Sequence, residues 1–226
     1  MATDTTKGKV HFFDDFLGDT INLDNYVVNT DSGGTAFAIN VQANGVIRAT
    51  VDTTDNDISN IFGVVIYRSD SAGPLTIEVR AALITSVADG EVFIGFSDAS
   101  GTDENPITLS TADVMTSNAT DAVGFAYTGG GTADWKMVSV ANNSDGTVAR
   151  ANAKGATTPA AGTFQTFKIT LNEDGDADYY IDGVYQGSEA VAVTSTVLLN
   201  FAVALQSGGT GRSLDIDYVE IHCGRR

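Results

Sequence analysis

Residues 164–187 read FQTFKITLNEDGDADYYIDGVYQG and carry the clearest structural signal in the chain. Their first eight residues alternate polar and apolar side chains, as expected of a strand with one buried face; the apolar ones are Phe167, Ile169 and Leu171. Asp174-Gly175 then supplies a turn, because Gly and Asp tolerate positive φ angles. The chain returns through a second alternating segment to another tight turn, Asp182-Gly183. The pattern predicts an antiparallel hairpin.

The same alternation recurs along most of the chain, with Gly, Asp, Asn and Ser clusters between the apolar segments. The further predicted strands are residues 9–13, 35–40, 45–51, 61–67, 74–83, 91–97, 122–127, 135–140, 177–182, 197–205 and 213–221. Only residues 110–119, STADVMTSNA, have a helical pattern, with Ser110 as the N-cap. We therefore predict an all-β fold, a two-sheet antiparallel sandwich. Residues 1–9 are expected to form an N-terminal arm and residues 10–226 a single domain.

Composition and charge exclude several classes of protein. The 226 residues hold 12 Lys and Arg against 29 Asp and Glu, a net charge of −17, which leaves little basic surface for a nucleic acid. No apolar run is long enough to cross a membrane. The N-terminus lacks the apolar segment of a signal peptide, so we expect synthesis in a cytoplasm; the alternative is that the chain is an already processed form. Cys223 is the only cysteine, which excludes an intramolecular disulfide.

The chain ends are basic although the protein is acidic. The cations concerned are Lys7, Lys9, Arg225 and Arg226, opposed in these segments only by Asp4. Since domain termini often lie close together, the ends could form a basic contact for assembly. The alternative is that they are solvated tails without a role.

Three segments together resemble the concanavalin A-like lectin and glucanase family, including its laminin-G-like members. Residues 12–19, FFDDFLGD, with Leu23, Asp24 and Tyr26, look like the family's first strand. Residues 163–171 with 178–187 resemble its central hairpin, and residues 214–221, LDIDYVEI, resemble its last strand. The resemblance implies a jelly roll of two packed sheets, one of them concave. It does not imply one activity, because such folds carry many functions.

Glycosidases of this fold carry a Glu-x-Asp-x-x-Glu strand, whose nearest match here is Asp215-x-Asp217-x-x-Glu220. Retaining hydrolysis needs two carboxyl groups about 5–5.5 Å apart. In a strand without a bulge, Glu220 falls on the opposite face from both Asp residues. We therefore expect a polar face on a terminal strand rather than a catalytic pair, and no enzymatic activity. The only two histidines, His11 and His222, lie near opposite chain ends, which a jelly roll could bring together.

Two further groups of residues are candidates for ligand binding. Oxygen ligands cluster at Asp98, Asp103 and Asn105, as Ca²⁺ prefers, and laminin-G-like relatives often hold a calcium ion at a sheet rim. Ordinary solvated turns are the alternative. Aromatic side chains that could contact a glycan are Trp135, Tyr180 and Tyr185, unless they are partly buried in the sandwich. No other cofactor is expected.

The absence of a catalytic set and of a secretion signal, with an acidic, Gly-rich β fold, favours a structural role. The first functional hypothesis is a tailed-phage virion protein, a capsid decoration or fibre-like subunit at the virion surface. Its partners would be a viral capsid protein and copies of itself, as a homo-oligomer. The alternative is a carbohydrate-binding, lectin-like module, with or without calcium. The number of solvent-facing aromatic rings around one groove distinguishes the two hypotheses.

Overall fold

The computed structural model describes residues 9–31, 33–40, 45–70, 74–85, 87, 90–99, 105–110, 114–130, 134–145 and 158–224. Within these ranges the chain forms seventeen β-strands. In chain order they are β1 (Lys9–Asp14), β2 (Tyr26–Thr30), β3 (Gly34–Asn40), β4 (Val46–Val51), β5 (Ile58–Tyr67), β6 (Leu75–Leu83), β7 (Gly90–Ser97), β8 (Ile107–Leu109), β9 (Met115–Ser117), β10 (Ala122–Thr128), β11 (Lys136–Ala141), β12 (Ser144–Asp145), β13 (Gln165–Leu171), β14 (Ala177–Ile181), β15 (Val184–Glu189), β16 (Leu199–Ser207) and β17 (Arg212–Gly224). No helix in the described residues is long and apolar enough to cross a membrane.

Two large antiparallel sheets make up the architecture. The eight-stranded sheet has the order β15-β14-β13-β6-β17-β4-β3, and β1 also pairs with β17. The seven-stranded sheet has the order β12-β11-β10-β7-β16-β5-β2. Consecutive strands such as β6 and β7 belong to different sheets, so the chain crosses repeatedly between the two layers. The predicted all-β, two-sheet antiparallel sandwich is confirmed.

The main core lies between the two sheets, because alternate side chains of each strand point into the same space. Phe125 of β10 contacts Phe167 of β13 across it, with ring centroids 5.4 Å apart. Both rings belong to one buried cluster that draws on nearly every long strand. The apolar positions predicted from alternation in residues 164–171 and 122–127 all face this cluster.

A small hairpin, β8–β9, covers part of the outer face of the seven-stranded sheet. It places Ile107 and Leu109 over Phe62 and Phe93, and this second cluster is fully buried. Small residues on the neighbouring strands make room for the hairpin; they are Ala122, Ala126, Ala202 and Ala204. One face of this sheet therefore packs on the core and the other on the hairpin.

The helix predicted over residues 110–119 is wrong where the structure describes that range. Residues 115–117 are strand β9, paired with β8. Ser110 does not cap a helix: its backbone N–H donates to the Val114 carbonyl at 2.9 Å, and its Oγ accepts from the Val114 N–H at 3.1 Å, which closes the hairpin. Packing of the hairpin on the apolar outer face outweighs the weak helical preference of these residues. Residues 111–113 lie outside the described ranges.

Each predicted strand has an observed counterpart. The predicted turn at Gly175 is confirmed by its φ of +87°, and Asp182 and Gly183 have φ values of 51° and 75°. The strands missed by the predictions are short and lie at sheet edges or in the covering hairpin, where no long alternation marks them; they are β2, β8, β9, β12 and β15. The arm expected over residues 1–9 stays a prediction, since residues 1–8 lie outside the described ranges.

Candidate functional site

Three polar side chains form a row across neighbouring strands at the border of the apolar outer face of the seven-stranded sheet. Gln206 of β16 pairs with Glu91 of β7, and Glu91 pairs with Thr128 of β10. All three point away from the core, because their strand neighbours Val92, Leu205 and Tyr127 point into it. The row borders a cavity of about 260 Å³, whose further polar lining comes from Asp55, Asn56, Ser110 and Ser207. We call this space the Glu91 cavity.

Glu91 is a half-buried carboxylic acid held by the covering hairpin. Its Oε2 accepts a hydrogen bond from the backbone N–H of Leu109 at 3.1 Å. Burial raises the pKa of Glu91 to about 7, and the Leu109 hydrogen bond and the Arg212 charge only partly oppose that rise. A carboxyl group in a cleft with a pKa displaced towards neutrality is typical of functional sites.

The backbone beside Glu91 requires glycine because a buried arginine packs against it. Gly90 has a φ of +110°, and a Cβ there would lie 2.8 Å from the guanidinium carbon of Arg212. The Arg212 side chain is completely buried. Gly90 thus lets a fixed positive charge come close to Glu91 without exposing it to solvent.

Gln206, which lines the cavity, carries an unsatisfied acceptor. Its amide nitrogen donates to Asn56 Oδ1 at 3.3 Å. Its Oε1 is buried and has no hydrogen-bond partner among the described residues. A buried polar atom without a partner costs about 1–3 kcal/mol, and such atoms in native proteins often mark a place where water or a ligand binds.

The raised pKa of Glu91 predicts a pH-dependent stability. The pKa of Glu91 is about 7 in the folded protein and 4.5 ordinarily, so the folded state holds the proton more tightly. This contribution to stability is fully present below about pH 4.5 and is lost as the pH rises through about 7. Relative to Glu91→Gln, which keeps the shape but cannot ionise, the wild type should lose roughly 2–3 kcal/mol between about pH 4.5 and pH 8. Urea unfolding of both proteins across this range measures the difference. A constant difference would contradict the assignment.

Two of the three predicted glycan-contacting residues lie together on the outer face of the eight-stranded sheet. Tyr180 and Tyr185 are cross-strand partners with ring centroids 5.5 Å apart. Tyr180 is half-buried, and Tyr185 is 51% exposed. The row continues through Lys168 and Glu78, so two accessible rings stand beside charged groups.

The third, Trp135, is not at the surface. It is 2% exposed, and its indole N–H donates to Gln165 Oε1 at 2.9 Å. Its ring meets Phe167 at 4.5 Å between the sheets. The expectation that Trp135 contacts a glycan is wrong, because the start of β11 turns this side chain into the core.

The residues predicted to bind calcium are only partly described. Asp98 Oδ1 accepts backbone hydrogen bonds from Thr120 and Asp121 at 3.0 and 3.1 Å, so this carboxylate holds a turn. Asn105 is buried, and both of its side-chain polar atoms lack a hydrogen-bond partner among the described residues. Asp103 lies outside the described ranges. The calcium site stays a prediction.

The two described ends of the chain are neighbours. Lys9, the exposed first residue of β1, pairs with Gly224 of β17. Lys7, Arg225 and Arg226 lie outside the described residues. The basic assembly contact therefore also stays a prediction.

A β-bulge changes the geometry of the Asp215-x-Asp217-x-x-Glu220 segment. The register of β17 against β6 shifts between Ile216 and Tyr218. Because Ile216 and Val219 both face the core, Glu220 lies on the same outer face as Asp215. The expectation that Glu220 falls on the opposite face, which assumed a regular strand, is wrong.

Each carboxylate of this segment has a cationic or imidazole partner. Asp215 accepts two hydrogen bonds from Arg48, at 2.5 and 2.7 Å, and Asp217 pairs with Arg80. Glu220 accepts from both histidines. Partial burial raises the pKa of Glu220, but the hydrogen bonds and charges of the two histidines outweigh it, so the net pKa is below the ordinary value. The segment is an ion-pair network, unlike a pair of free carboxyl groups flanking a substrate.

No family model matches the chain, and no curated protein matches it. Several solved structures match its fold. The Bacillus licheniformis β-glucanase aligns over 96% of this chain and 98% of its own, with a TM-score of 0.62 and 14% identity. Peanut lectin aligns over 95% and 97%, with a TM-score of 0.62 and 11% identity. The carbohydrate recognition domain of Emp47p aligns over 98% and 99%, with a TM-score of 0.60 and 9% identity. The chain has the jelly-roll fold of concanavalin A-like lectins and glucanases, as the sequence resemblance implied.

Sequence reasoning did not single out Glu91 or Gln206. Glu91 begins a predicted strand whose other outward positions are Phe93, Gly95 and Ser97, so a lone acid there was a usable signal. Nothing local marks Gln206, since its place beside Glu91 depends on the pairing of β16 with β7.

Proposed function

We propose that this protein binds carbohydrate, and that the Glu91 cavity is the binding site. The observation that carries the proposal is the buried, unsatisfied Oε1 of Gln206 in a polar row with Glu91 and Thr128. The fold shared with lectins and glucanases supports the same ligand class.

The lining suits a ligand with several neutral hydroxyl groups. A carboxylate accepts hydrogen bonds, an amide both donates and accepts, and hydroxyl side chains do either. Because Gln206 Oε1 is buried, its amide has to turn towards the cavity before a sugar hydroxyl can donate to it; the carboxyl of Glu91 would take a second hydroxyl. Ligand sites in general combine such a cavity with a few converging polar groups.

A glycan array probed with the full chain, followed by calorimetry on the best glycan, tests the proposal. Gln206→Ala should lower the affinity on the order of tenfold, since one well-placed hydrogen bond is worth about 1–1.5 kcal/mol. Tyr185→Ala is the matched control, because it removes a polar-tipped side chain from the other sheet.

The outcomes are distinct. Weakened binding in Gln206→Ala with unchanged binding in Tyr185→Ala supports the cavity. The reverse result assigns glycan binding to the Tyr180–Tyr185 surface. Absence of binding to any glycan overturns the proposed function.

We further propose that the protein does not cleave its glycan. The fold itself does not decide this, since its solved relatives include both lectins and glucanases. The support is that each carboxylate of the Asp215-x-Asp217-x-x-Glu220 segment, the nearest match to the catalytic strand, is already paired with an arginine or a histidine. The Glu91 cavity does offer two carboxyl groups, Glu91 and the exposed Asp55, so cleavage there is the outcome to test. Release of reducing ends from the bound glycan, lost in Glu91→Gln, would show an enzyme instead.

The hypothesis of a virion decoration or fibre-like subunit has no support in the comparisons. Docking on a viral capsid protein, self-association and residence at a virion surface stay predictions.

A further inference from the structure

The only two histidines of the chain meet on the outer face of the eight-stranded sheet. His11 of β1 and His222 of β17 are direct cross-strand partners. Their strand neighbours Phe12 and Cys223 pack towards the core, so both imidazoles point outwards. Glu220 lies two residues before His222 and therefore on the same face.

The three side chains converge on one point. The Nε2 atoms of His11 and His222 lie 3.0 and 2.9 Å from the same oxygen, Oε1 of Glu220. The two imidazole rings are stacked, with centroids 4.4 Å apart and an interplanar angle of 4°. One ligand atom from each residue lies within 4.8 Å of the others.

We infer that His11, Glu220 and His222 form a binding site for a divalent transition-metal ion such as Zn²⁺. Imidazole nitrogen with carboxylate oxygen is a ligand set of zinc and of the neighbouring transition metals. Bonds of 2.0–2.2 Å at tetrahedral angles place adjacent ligand atoms roughly 3.3–3.6 Å apart. The nitrogen–oxygen separations of 3.0 and 2.9 Å are shorter than this. Small side-chain movements that open these two separations therefore make room for the ion.

Backbone pairing preorganises this site. The hydrogen-bonded ladder of β1 and β17 fixes the spacing of the two histidines, and Glu220 is fixed by its position along the same strand. The histidine side chains are 54% and 52% exposed, so an ion has access from solvent. Three protein ligands leave at least one coordination position for water.

The site is separate from the other candidate ligand sites. The Glu91 cavity belongs to the seven-stranded sheet, and the predicted calcium ligands follow β7. Calcium takes oxygen ligands, so a pair of imidazoles does not favour it. Metal bound here would also link β1 to β17, the strand through which β1 joins the sheet.

Proton NMR of the untagged full chain tests the inference, because two histidines give a directly assignable imidazole region. Stoichiometric Zn²⁺ should shift or broaden both sets of imidazole signals. Calorimetry should show one Zn²⁺ per chain, and His11→Gln, His222→Gln and Glu220→Gln should each weaken binding on the order of tenfold or more. Asp178→Asn, which alters an outward carboxylate three strands away, should bind Zn²⁺ as the wild type does.

Thermal unfolding supplies an independent measurement. Zn²⁺ should raise the melting temperature of the wild type and of Asp178→Asn, because ligand binding to the folded state stabilises it. It should not raise that of His11→Gln. Imidazole signals unchanged by Zn²⁺, or equal Zn²⁺ affinity in the wild type and all three ligand variants, would overturn the inference.

Discussion

Trp135→Ala is expected to lower the free energy of unfolding by about 3–5 kcal/mol, the usual cost of deleting a large buried aromatic side chain. The indole fills space between the two sheets, against Phe167 at 4.5 Å and Tyr127 at 5.4 Å. Its N–H also satisfies the buried Oε1 of Gln165, which the substitution would leave without this donor. Urea unfolding followed by far-UV circular dichroism measures the change.

Tyr185→Ala is the matched control for this substitution. Its ring is 51% exposed, so its loss should change the free energy of unfolding by less than about 1 kcal/mol. Trp135→Phe should fall between the two, because it keeps most of the volume but not the hydrogen bond. A stability loss in Trp135→Ala no larger than in Tyr185→Ala would show that the indole is not a core residue.

Arg48→Met is expected to destabilise the fold by about 3 kcal/mol, because it leaves a buried carboxylate without its guanidinium. The Asp215 side chain is 1% exposed and receives two hydrogen bonds from Arg48. Removing one partner of such a pair is much more costly than the pair is worth as a whole. Urea denaturation near neutral pH gives the value.

Arg68→Met provides the comparison for a less buried pair. Arg68 bonds to Asp70 only two residues away, and the two side chains are 40% and 12% exposed. Because water can still solvate the Asp70 carboxylate in part, this variant should lose clearly less stability than Arg48→Met. Equal losses in Arg48→Met and Arg68→Met would contradict a buried structural role for Asp215. The Asp215–Glu220 segment would then again be open to a catalytic interpretation.

The fold was largely predictable because its main signal is local. A strand with one buried face needs only alternation along the chain, and residues 164–187 show it with turn residues at the right positions. Strands such as β15 were missed because an edge strand buries few of its side chains. Its sequence therefore shows little alternation of apolar and polar residues. The helix expected at Ser110 is wrong because a contact distant in sequence decides the structure there. The segment packs as a hairpin on an apolar face that includes Phe62 and Phe93.

Prediction of the sites was less successful, since each depends on residues far apart in the chain. The Glu91 cavity needs the pairing of β7 with β16 and β10, and the His11–Glu220–His222 cluster needs β1 beside β17. Tyr180 and Tyr185 were found because one short hairpin brings them together. The aromatic character of Trp135 was visible, but not the direction of its side chain.

Local alternation, turn chemistry and charge were enough to establish an acidic, antiparallel β-sandwich, because these properties act between residues close in sequence. Register, bulges and burial required the folded chain. One extra residue in β17 places Glu220 on the outer face, and one strand pairing places an unsatisfied glutamine beside an acid whose pKa is raised. Such features arise from contacts between strands more than a hundred residues apart in the chain, and no local pattern contains them.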